Sequence, residues 1–80
     1  MFIQALIMIA AAHNNARKGF DLYYEADILK HQAAQYLHSD LIQYALLLTE
    51  HEAKLQLANM YHEDCMACWA AVRAIEASRA

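Results

Sequence analysis

The sequence predicts an all-α fold: one domain over residues 1–80, built as a small antiparallel helical bundle of three to four helices. Three observations predict it. The chain has no proline and one glycine in 80 residues, so the residues that punctuate hairpins and strand edges are nearly absent. Its remaining composition is dominated by good helix formers, Ala, Leu, Met, Gln, Glu and Lys. The apolar residues also recur at helical rather than alternating spacing. At 60% hydrophobic residues, the chain carries more apolar surface than one small core hides, which points to another protein chain as its cover.

The first predicted helix carries Ile3, Leu6, Ile7 and Ala10 at i, i+3, i+4, i+7, continuing to His13 or Asn14. Phe2, Met8 and Ile9 widen that stripe until the segment is apolar nearly all round. Arg17 and Lys18 followed by Gly19 read as a stop signal, basic residues in a last turn and then glycine at the capping position. Asn14-Asn15 is an earlier, competing stop. A second helix starts at Asp21 and runs on Leu22, Ala26, Leu29, Ala33, Tyr36 and Leu37, with Phe20, Tyr24 and Ile28 as a shoulder. Asp40 and Gln43 have the spacing of a capping box and open a third segment on Leu41, Ala45, Leu48, Leu55 and Ala58. The polar stretch from Thr49 to Lys54 interrupts it. Asp64 is placed to cap a fourth helix carrying Cys65, Cys68, Trp69, Val72 and Ile75. Nothing between Asp40 and Ala80 forbids one long helix, hence the count of three or four.

Leu57, Ala58, Tyr61, Ala70 and Ala77 fall at the spacing of a tetratricopeptide-type hairpin. The turn glycine and terminal proline of that pattern are missing, and 34 residues earlier stand Tyr23, Tyr24 and Asp27 rather than a second copy. The spacing reads as ordinary helix packing.

Charge narrows the functional classes. Formal net charge is -3, and between Phe20 and Asp64 eight acids face two bases, Lys30 and Lys54. That acidic middle repels a phosphate backbone, so nucleic acid is not expected as a partner. The apolar run over 2–12 is short of the roughly 20 residues a bilayer span needs, and it lacks the basic start of a secretory signal, so no membrane partner is expected. Two cysteines and no targeting segment suggest a reducing cytoplasm.

Residues of catalytic type are present without catalytic spacing. Glu50, His51 and Glu52 are sequence neighbours, which point apart on a helix. No glycine-rich phosphate loop or nucleophile motif occurs, so no enzyme and no cofactor are expected. The alternative is a metal- or redox-responsive protein, with zinc held by His62, Cys65 and Cys68. On a continuous helix those three spread over a ~120° arc and about 9 Å of rise, so they share one ion only where the backbone turns. Cys65 and Cys68 also fall on one stripe with Trp69, Val72 and Ile75, where free cysteine packs as a small hydrophobe.

Five tyrosines suggest a contact surface, since tyrosine suits sites with one apolar side and one wet edge. Phe20, Tyr23, Tyr24, Asp27 and Tyr36 are the expected partner-binding residues. The functional expectation is a small, non-enzymatic adaptor, regulator or inhibitor of a larger protein assembly, a size class common among phage and mobile-element proteins. It is expected to act as a homo-oligomer, most simply a homodimer.

Overall fold

The computed structural model describes residues 2–78 and consists of two long helices joined by a short turn. Met1, Arg79, Ala80 and the side chain of Phe2 lie outside this description, and with them the assignment of Phe2 to the first apolar stripe. α1 spans Phe2–Ala34 and α2 spans Leu41–Ser78, 33 and 38 residues respectively. They pack antiparallel into a hairpin of 62 × 13 × 12 Å.

This all-α hairpin replaces the expected bundle of three to four helices. Neither Asn14-Asn15 nor Gly19 stops α1, and Gly19 does not adopt the left-handed conformation a capping glycine needs. Asp21 and Asp64 lie within helices rather than at their starts, and the Thr49–Lys54 stretch is helical. Within that stretch Thr49 Oγ1 donates back to the Ala45 carbonyl at 2.9 Å, and Glu50 and Lys54 stand one turn apart with opposite charges. The unbroken α2 also leaves no turn inside the tetratricopeptide-like spacing.

The chain reverses at residues 35–40, and it does so without glycine. Tyr36 N–H donates to the Ala33 carbonyl at 2.9 Å and Gln35 N–H to Gln32 at 3.2 Å, tightening the last turn of α1. Asp40 N–H then donates to the Tyr36 carbonyl at 3.0 Å. The expected start of the next helix holds: Gln43 N–H donates to Asp40 Oδ1 at 3.1 Å, an N-cap bond.

A row of small residues joins the helices. Ala5, Ala12, Gly19, Ala26 and Ala33 stand at seven-residue intervals along α1 and all are buried. Ala58, Cys65 and Val72 repeat the interval on α2, with half-buried Tyr44 and His51 continuing it toward the turn. A seven-residue period keeps one face of a long helix against a partner along its length. Small side chains there bring the backbones close: a Cβ on Gly19 would lie 3.5 Å from the Ala58 carbonyl oxygen and 3.6 Å from Tyr61 Cβ.

Larger residues flank the row half-buried, among them Met8, Leu22, Leu29, Leu48, Leu55, Trp69 and Ile75. The second stripe faces inward as expected from Leu22 through Ala26 and Leu29 to Ala33, but its last two residues do not continue it: α1 ends at Ala34, Tyr36 is half-buried in the turn and Leu37 is exposed. Cys65, Trp69, Val72 and Ile75 face inward as expected. The first stripe does not. Ile3, Leu6 and Ile7 are exposed, as are Leu41 and Leu46. One neighbouring helix covers only one sector of a helix that is apolar on several sides, and the alanine row takes that sector.

Candidate functional site

Three of the five expected contact residues come together. Phe20, Tyr24 and Asp27 stand at i, i+4, i+7 on α1, all exposed, and form one stripe about 10 Å long. Phe20 and Tyr24 leave 73% and 69% of their surface open, a large aromatic area for one helix face. His31 extends the stripe by one turn, its Nδ1 lying 2.8 Å from the Asp27 carbonyl and 3.7 Å from Asp27 Oδ2.

Tyr23 and Tyr36 sit elsewhere. Tyr23 is half-buried at the edge of the seam, where its hydroxyl donates to Asn59 Oδ1 on α2. Tyr36 is half-buried in the turn, and its carbonyl accepts from Ser39 and Asp40. Tyr23 therefore ties the helices together, and Tyr36 closes the turn. Beside the stripe a groove of about 160 Å³ runs between the helices, lined by Ala16, Gly19, Phe20, Tyr23, His62 and Cys65.

The His62, Cys65 and Cys68 set spreads as a continuous helix requires. His62 is exposed, Cys65 is buried in the seam, and Cys68 is half-buried with its sulfur 3.9 Å from Asn15 Nδ2. Among the described residues, no group of three or more His, Cys, Asp and Glu side chains is placed to hold one metal ion. His51 reaches away from Glu50 and Glu52. Its ring crosses the seam, with Nδ1 2.7 Å from the Ala26 carbonyl, so that nitrogen carries the proton and donates.

Polar contacts along both edges of the seam set the register. His13 meets Trp69 edge-on at 5.7 Å between ring centroids, and Lys18 lies over the Tyr61 ring at 5.6 Å. Lys54 donates to Glu25 Oε2 at 2.8 Å, which holds the lysine pKa above its ordinary value through that bond and the carboxylate charge.

A second apolar surface, which the sequence pattern alone did not expose, lies nearer the open end of the hairpin. Gln4, Ile7 and Met8 on α1 and Ala71, Ala74 and Ile75 on α2 line a groove of about 340 Å³. Its signal in the sequence is the alanine-rich stretch from Ala67 to Ala77, opposite the isoleucines of α1.

Among the described residues, no helix is long and apolar enough to cross a membrane. Comparison with protein-family models, curated proteins and solved structures gives no match.

Proposed function

We propose that this chain is a non-enzymatic protein-interaction module, a self-associating helical hairpin that works by occupying a surface of a larger protein assembly as an adaptor, regulator or inhibitor. One observation carries the reading. Among the described residues no large side chain is fully buried, while large apolar residues from Ile3 to Met66 stand exposed along both helices. Exposed apolar area on this scale is a cost in water unless another protein covers it.

The exposed stripe of Phe20, Tyr24 and Asp27 is the contact to the partner assembly. Aromatic side chains supply large contact area at low entropic cost, and Asp27 sets a negative edge that suits a basic surface. Cys65 and Cys68 are free thiols, which suits a reducing cytoplasm.

The test is partner capture by wild type and by a Phe20→Ala, Tyr24→Ala double variant. Both residues are exposed, so the variant keeps its helicity by circular dichroism, and binding falls by about tenfold or more. Capture at wild-type strength by the folded variant removes this stripe from the contact.

A further inference from the structure

We propose that the hairpin opens at residues 35–40 and exchanges helices with a second copy of this chain, so that the turn winds into helix and α1 of each copy packs on α2 of the other. This rests on the self-association proposed above, and the surface it uses is the seam already described.

The residues of the turn do not fix a bend. Residues 35–40 are Gln, Tyr, Leu, His, Ser and Asp, without glycine or proline, and no described residue has a positive φ. Gln35, Tyr36, Leu37 and Ser39 each donate N–H to the carbonyl three residues back, and Asp40 donates to the one four back. These are the bonds of right-handed 3₁₀ and α-helical winding, carried on almost to the point of reversal. All of them are local, so winding the turn into helix breaks no bond between distant residues.

The register of the two small-residue rows points the same way. The α1 row ends at Ala33, and the α2 row begins at Tyr44, eleven residues on. Eleven residues are three helical turns to within about 20°, so one unbroken helix carries both rows on a single face. A closed hairpin needs no such phase, because the conformation of its turn orients α2. Leu37 falls on that common face, four residues after Ala33 and seven before Tyr44, yet in the closed hairpin it is 41% exposed.

The seam transfers whole. Tyr23 bonds Asn59, Lys54 bonds Glu25 and His51 bonds the Ala26 carbonyl, each tie running from α1 to α2. Among the described residues no third element fixes which copy supplies α2, so each tie re-forms between copies. The closed and exchanged forms then differ in their contacts at residues 35–40. Leu37 favours exchange, because the other copy covers it. Asp40 opposes exchange: its carboxylate caps α2 through Gln43 N–H, and in an unbroken helix it stands on the row, where burial of its charge is costly.

Proline at position 41 separates the two forms. Leu41 is the first helical position of α2, where proline is tolerated; inside an unbroken helix proline removes a backbone bond and clashes with the preceding turn. Native mass spectrometry and small-angle scattering of wild type, Leu41→Pro, Leu41→Ala and Asp40→Ala test the exchange. Wild type is expected at twice the chain mass of 9.1 kDa. Its length is expected near the ~115 Å of residues 2–78 as one helix, against 62 Å for the closed hairpin. Leu41→Pro remains helical by circular dichroism and dimerises at least about a thousandfold more weakly. Leu41→Ala stays within about tenfold of wild type, and Asp40→Ala dimerises about tenfold or more tightly. A wild-type dimer no longer than the hairpin, or one that Leu41→Pro leaves intact, overturns the exchange while self-association stands. Equal losses in Leu41→Pro and Leu41→Ala also overturn it, since a side-chain contact then explains both. Monomer mass for wild type and Asp40→Ala alike removes self-association itself.

Discussion

Gly19 is the residue at which local propensity and long-range packing disagree most plainly. After Arg17 and Lys18 it has every local mark of a helix end, yet it lies buried inside α1 opposite Ala58. Its φ is not positive, and a Cβ there would make contacts of 3.5 Å and longer, ordinary van der Waals distances. Glycine is therefore tolerated at this position rather than required. Gly19→Ala is expected to raise stability by about 0.5–1 kcal/mol, the usual cost of glycine inside a helix. Urea denaturation checks this, and a lowered midpoint would mean the helices sit closer than described. The Glu25–Lys54 bridge makes a second residue-scale prediction. The bond and charge of the carboxylate raise the lysine pKa, so the bridge's contribution is fully present below the ordinary lysine pKa of 10.5 and is lost as pH rises through the higher folded value. The melting difference between wild type and Lys54→Met is expected to be small at neutral pH, since both side chains are about half exposed, and to shrink only once the pH passes the raised lysine pKa.

For the helices, what was legible in the sequence divides by the range of the signal. The Asp40–Gln43 cap reads correctly because it is a bond between residues three apart. The inward stripe reads correctly from Leu22 to Ala33, where large and small residues coincide, and fails at Tyr36 and Leu37, which the turn takes out of the helix. Ile3, Leu6 and Ile7 mislead for the opposite reason: size and helical spacing suggest a core, but the seven-residue row of Ala5, Ala12 and Gly19 packs more closely and takes the seam. That row is present in the sequence as a period, yet alanine is a weak hydrophobic marker and the large residues beside it dominate the pattern. Ala12→Leu, which forces a branched side chain into the row, is expected to destabilise by about 1–3 kcal/mol. Ala10→Leu, two residues away and exposed, is expected to change stability by under about 0.5 kcal/mol. Thermal melts of the pair separate a close seam from a generic apolar contact; equal effects would deny that the row sets the helix spacing. Of the candidate site, the aromatic stripe was legible and the Ile7–Ala74 groove was not, because the groove joins residues 67 positions apart.

At the scale of the whole molecule, two features follow from one composition. A chain that is 60% hydrophobic supplies apolar residues to every side of its helices, and a hairpin gives each helix one neighbour. The seam takes the small residues, so the large ones are left outside. Burying small side chains contributes much less than the roughly 1.5–3 kcal/mol of a buried leucine or isoleucine, and the hairpin gains correspondingly from further burial against a second protein. The groove beside Ile7 and Ile75 and the aromatic stripe are two such surfaces on different sides of the rod. Helix exchange reuses the seam, so the proposed self-association and the proposed partner contact need not compete. Sedimentation equilibrium of the wild-type chain, from low to high micromolar concentration, tests this most directly. A mass rising from 9.1 kDa to twice that value and holding there is the expected result. A mass fixed at 9.1 kDa across the range would contradict self-association.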